Sequence, residues 1–149
     1  MDLFHEQLAR TGLAAAETYG FALAGDHASK VELGVDWRAN EPIQMAIGPV
    51  LHPDDAVANK VAALYGRALA RDFIDVDAVV QSGRYDRDAV LRLAERADSG
   101  FDRRMFAVAL GQARLLDDDD FAAYGMGGQD LADLRARYAA WRTELVEGA

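Results

Sequence analysis

Val50-Leu-His52-Pro53-Asp54-Asp55-Ala-Val-Ala-Asn-Lys60-Val-Ala-Ala-Leu64-Tyr-Gly-Arg67-Ala-Leu-Ala-Arg71-Asp72-Phe-Ile-Asp75 is the stretch on which the reading of the fold turns. Pro53 suits the first turn of a helix, where its missing N–H is no loss, and Asp54 and Asp55 favour the positive end of the helix dipole. Lys60, Leu64, Arg67 and Arg71 follow i, i+4, i+7 and i+11. On one unbroken helix those cations share a face, and Asp75 follows a turn later. Two readings of this pattern stand side by side. Several fixed cations can hold a triphosphate. Equally, Arg67 and Arg71 can pair with Asp72, Asp75 or Asp77 and lock consecutive helices together.

Working outward toward the C-terminus, the periodicity predicts helices over 53–69, 71–81, 86–98, 101–115 and 130–147. Breaks are expected at Ser82-Gly83, Ser99-Gly100 and Gly125 to Gly128. Leu64, Val76, Val79, Leu91, Leu93, Phe106, Leu110, Leu134 and Trp141 are the expected core. The acid run Asp117 to Asp120 reads as a solvated helix start before Phe121; it lacks the alternation and the glycine of a calcium loop.

The N-terminal side is different in kind. A helix is expected over 3–19, ended by Gly20. Phe21 to Ala24 is a short apolar run between glycines, which suits a strand. Lys30 to Trp37 alternates, with Val31, Leu33 and Val35 on one face and Lys30, Glu32 and Asp36 on the other. A third strand is expected from Ile43 to Ile47, between Pro42 and Pro49. The fold class is therefore α+β: a small, strand-poor layer over residues 1–50 and a helical part over 51–149.

Composition narrows the function. The chain has 149 residues and no cysteine, so disulfides and thiolate metal ligation are excluded, and a reducing cytoplasm is the natural compartment. No stretch carries a signal peptide or an apolar run of membrane-spanning length. With 25 acidic and 16 basic side chains the net charge is −9, which argues against a broad non-specific grip on nucleic acid. His5, His27 and His52 are scattered without ligand spacing, and Ser29, Ser82 and Ser99 lack a nucleophile-elbow context.

The pattern Lys60-x-x-Ala63-Leu64-x-x-Arg67-x-x-x-Arg71-Asp72-x-x-Asp75 resembles the C-terminal signature of the AbiEii/AbiGii-type nucleotidyltransferase toxins. Phe21 to Gly25 is similar to the strand that leads into that family's Gly-Gly or Gly-Ser turn, and Lys30-Val-Glu32 to its lysine-apolar-acid strand. The resemblance implies that Lys60 binds nucleotide phosphates, with Arg67 and Arg71 the further cations that the spacing offers for them, and that Glu32, Asp72 and Asp75 are the candidate catalytic carboxylates. It implies Mg2+ and a nucleoside triphosphate as cofactors of an active member, a tRNA or protein acceptor, and an antitoxin partner.

One departure bears on activity. The family pattern continues with an Asp-x-Asp strand whose carboxylates hold two metal ions. Here Gly25-Asp26 runs on to Lys30 without it. Glu32 and Asp36 share one strand about 13 Å apart, too far to clamp a metal pair. An internal deletion accounts for this, and the expected product is a disabled relative; an active toxin is the alternative. A layer that has lost strands leaves edges open, so a homodimer or a partner contact through Phe21–Ala24 and Lys30–Trp37 is expected.

Overall fold

The computed structural model describes residues 14–16, 21–24, 27–30 and 38–148. The chain divides into two compact units, Met1–Trp37 and Arg38–Ala149. In the first, β1 (Ala14–Ala16), β2 (Phe21–Ala24) and β3 (His27–Lys30) form an antiparallel sheet in that order. Ala15 lies opposite Ala22, and Phe21 opposite Lys30. The helix expected over 3–19 is thus wrong at Ala14–Ala16: pairing with β2 overrides the helix preference of three alanines. The rest of that expected helix lies outside the described residues, as do positions 31–37 of the expected Lys30–Trp37 strand.

The second unit opens with a hairpin, β4 (Ile43–Met45) and β5 (Gly48–Val50), with Ile43 opposite Val50. The single strand expected over 43–47 therefore ends at Met45 and turns back. Gly48, at φ +111°, takes a conformation open to glycine at little cost. Six α-helices follow among the described residues: α1 (Pro53–Arg67), α2 (Ala70–Gln81), α3 (Arg87–Ala97), α4 (Arg103–Leu110), α5 (Asp118–Ala122) and α6 (Gly128–Glu147). A 3-10 turn, Gly111–Arg114, extends α4.

The start of α1 is built as its sequence foretells. Pro53 occupies the first turn, and His52 Nδ1 accepts the Asp54 N–H at 3.1 Å. Asp55 does more than favour the dipole. Its buried carboxylate accepts the N–H groups of Ala39 and Asn40 and the Asn40 side-chain amide, each at 3.1 Å, and so anchors the segment that enters the hairpin. Burial by itself raises this carboxyl; the three hydrogen bonds outweigh it and hold it below its ordinary range.

Val57, Val61 and Leu64 line the inner face of α1 at helical spacing and belong to one apolar core with Phe73 and Val76 of α2, Val90 and Leu91 of α3, Phe106 and Leu110 of α4 and Leu134 and Trp141 of α6. Seven of the nine expected core residues are in this cluster, and Val79 and Leu93 are half-buried and packed against it. Two ties fasten α6 to α2. The Tyr138 hydroxyl donates to the Phe73 carbonyl at 2.7 Å, and Arg137 makes a bidentate pair with Asp77 at 2.8 and 2.7 Å. No helix among the described residues is long and apolar enough to cross a membrane.

Candidate functional site at the α1–α2 corner

Helix α1 does not run on to Arg71. It stops at Arg67, where Ala68 turns left-handed (φ +48°) and Leu69 is extended, and α2 starts again at Ala70. The continuous face that Lys60, Leu64, Arg67 and Arg71 were expected to share does not form, and Leu64 is fully buried. The corner instead brings α2 back against α1, so that carboxylates of α2 meet cations of both helices.

Asp72 organises the corner. Its side chain is 2% exposed and accepts from Arg67 Nε at 2.9 Å, Arg67 Nη2 at 2.8 Å and the Leu69 N–H at 3.1 Å. The last bond satisfies a backbone donor that α2 leaves without an intrahelical partner. Burial would raise the Asp72 carboxyl, but the Arg67 and Leu69 bonds prevail and hold it below the usual carboxylate range. The hydrogen bonds to Asp72 and its charge in turn raise the Arg67 guanidinium above its ordinary value.

Asp75 lies one turn further along α2. It accepts from Lys60 Nζ at 2.7 Å, and Arg71 Nε approaches it at 3.7 Å. Lys60, Arg67 and Arg71 all keep much of their side chains in solvent. Three cations and two carboxylates thus occupy one corner. Arg67 is engaged through Nε and Nη2, whereas Lys60 keeps donors beyond its one short bond and Arg71 is held loosely. Chemically the corner can take an anion on Lys60 and Arg71, in competition with Asp75.

Asp77 takes no part in it. Asp75 and Asp77 are two residues apart on a helix and point to different sides. Asp75 turns to Lys60, and Asp77 to Arg137, 60 positions away in sequence. The expected pairing of Arg67 or Arg71 with Asp77 is replaced by this long-range one. Arg67 with Asp72 and Arg71 with Asp75 do pair. Glu32, Asp26 and Asp36 lie outside the described residues. Among the described residues no group of three His, Cys, Asp or Glu is placed to hold a metal ion, and His52 is engaged as a helix cap. Asp117 to Asp120 are exposed at the start of α5, the solvated helix start expected.

The model of the family described as nucleotidyl transferase AbiEii toxin, type IV TA system, matches residues 23–148. The chain belongs to the AbiEii nucleotidyl transferase toxin family. No match is found among curated proteins or solved structures. The match covers both the helical body and β3, and the residues from Lys60 to Asp75 that carry the resemblance are gathered at one corner.

The sequence reading missed the tether made by Asp55 and the clasp made by Arg137. An acid at the start of a helix and an arginine in its middle have many uses, and only the packing of distant segments selects among them.

Proposed function

We propose that this member of a nucleotidyltransferase toxin family retains an anion-binding corner at Lys60 and Arg71 and has lost nucleotidyl transfer through an internal deletion. On this reading residues 1–50 are a shortened nucleotidyltransferase layer and residues 51–149 its helical companion. One observation carries the proposal. The family's Asp-x-Asp has no counterpart between Gly25 and Lys30, and the later Asp75-x-Asp77 is divided between Lys60 and Arg137. Two-metal catalysis needs carboxylates that converge on ions about 3.5–4 Å apart. The described donors do not fit a magnesium pair, and no step is assigned to one.

In this reading Lys60 and Arg71 receive the phosphates of a nucleoside triphosphate. Arg67 and Asp72 shape the corner, and Asp75 holds Lys60 in place until the anion arrives. Binding is weak, because nothing bridges the anion, and it weakens with salt as exposed charge interactions do. The compartment is the cytoplasm, and the partner is an antitoxin protein.

The second reading is an active toxin that moves a nucleotide to tRNA or protein; the family membership favours it. Incubation with each labelled nucleoside triphosphate, magnesium and total tRNA separates the two. The disabled reading expects no label on RNA or protein. Label that appears and is lost on replacing Glu32 or Asp36 overturns it.

A further inference from the structure

Helix α4 and the 3-10 turn that extends it present an outer strip that the rest of the helical unit leaves open. Met105, Val108 and Leu115 on this strip are 56%, 54% and 65% exposed. With Arg104 and Gln112 they recur at three- and four-residue spacing, the signature of one helical face. The inner side of the same helix is fully committed, with Phe106 and Leu110 in the core.

The strip starts at a cation, Arg104, and ends, past Arg114 and Leu115, at a run of four acids; neither Arg104 nor Asp117 has an ion-pair partner among the described residues. At the start, Arg103 is bound to Glu95 at 2.6 Å, but the Arg104 guanidinium has no carboxylate within ion-pair reach among the described residues. The first turn of α4 holds no acid, and the capping Asp102 is spent on the N–H groups of Arg104 and Met105. A free cation there opposes the helix dipole. At the other end, Leu115 is followed within two residues by the run Asp117 to Asp120. Asp117 stands at the N-cap position of α5, yet its side chain makes no capping hydrogen bond. Asp118 alone of the run is engaged by an arginine, Arg135 at 2.7 Å.

An apolar strip with a cation at one end and unused acids at the other is complementary to itself when turned end for end. We propose that α4 and its 3-10 extension form the contact of a two-fold symmetric homodimer, with the two strips antiparallel. With the axis near Leu110 and Gly111, Met105 faces the partner's Leu115 and Arg104 faces the partner's Asp117. The strip from Arg104 to Leu115 is about 17 Å long at helical rise, which is enough for both pairs to form at once. A two-fold contact uses one patch on both subunits, so every pair is made twice. The net charge of −9 would hold two copies apart at a contact chosen without regard to sign, and here the facing ends carry opposite charges. The aliphatic character of the strip suits a protein surface; RNA is bound chiefly through stacking on aromatic rings and arginine planes.

Sedimentation velocity on the full chain over a concentration series tests this. The wild type is expected to move from monomer to dimer as concentration rises. Val108→Glu and Met105→Glu are expected to remain monomeric with unchanged melting, since both positions are exposed. Arg104→Asp is expected to be monomeric, and the double variant Arg104→Asp with Asp117→Arg to regain the dimer. A wild type that stays monomeric throughout, or a dimer that survives Val108→Glu, overturns the proposal; the second result would move the contact to another surface, such as the N-terminal strands. A double variant that stays monomeric overturns the antiparallel register.

Discussion

Asp72 is buried, while Arg67, which grips it at 2.9 and 2.8 Å, stays open to solvent. The pair is therefore lopsided: one charge has left water and the other has not. Removing the arginine strands a buried carboxylate with only the Leu69 N–H for company, whereas removing the carboxylate leaves an arginine that water can solvate. Asp72→Asn should cost roughly 1–3 kcal/mol through the lost charge-assisted bonds. Arg67→Ala should lower the melting temperature further than Asp72→Asn does. Thermal melts of the two variants at neutral pH check the order.

The same carboxylate sets part of the acid stability. Its folded pKa lies below its ordinary value of 3.8, so it stabilises the fold above that value. The contribution is lost as pH falls below about 4 and the folded form takes up its proton. Asp55 and Glu95 are shifted the same way, the first by its hydrogen bonds against the pull of burial, the second chiefly by its bond from Arg103. Unfolding midpoints measured between pH 6 and pH 3 should fall less steeply in Asp72→Asn than in the wild type.

Leu64 belongs to the apolar core on the inner face of α1, with no exposed surface. Truncation to alanine there should cost about 2–5 kcal/mol, the spread reflecting how far neighbours close the space. Denaturant titration reads it as a lower midpoint at unchanged slope. Arg71→Ala, by contrast, removes an exposed pair at 3.7 Å and should change stability by about 0.3–0.5 kcal/mol.

Triphosphate binding separates Lys60 from Asp75. If anions enter the corner, Asp75 competes with them for Lys60 and Arg71. Calorimetric titration should show Lys60→Ala binding more weakly than the wild type and Asp75→Asn roughly two- to five-fold more tightly, the scale of an exposed ion pair. Weaker binding in Asp75→Asn would instead make Asp75 a residue that orders the site.

Much of the helical body was legible beforehand because its apolar residues recur at helical spacing and its breaks coincide with glycines or caps. Asp86 accepts the Ala89 N–H at the start of α3, and Gly83 turns at φ +70° after α2. The α1–α2 corner was not legible, since Ala68 carries no mark of the left-handed turn it makes; its conformation is imposed by Asp72 gripping Arg67 and Leu69 together. The hairpin was half legible: Pro49 reads as a strand breaker, but a two-stranded hairpin has only edges, where proline is tolerated. Of the corner, Lys60, Arg67, Arg71, Asp72 and Asp75 do lie together, but not in the arrangement expected. The spacing suggested a shared face on one helix, and the structure gathers them by folding two helices back.

The clasp of α6 on α2 has a consequence for time rather than for energy. Arg137 and Tyr138 reach back 60 and 65 positions to Asp77 and Phe73. Contacts so distant along the chain close large loops, and those absent from the folding nucleus act mainly on the rate of escape from the native state. Loosening the clasp would then leave refolding nearly as fast as before and shorten the lifetime of the folded helical body, which makes the clasp a brake on unfolding.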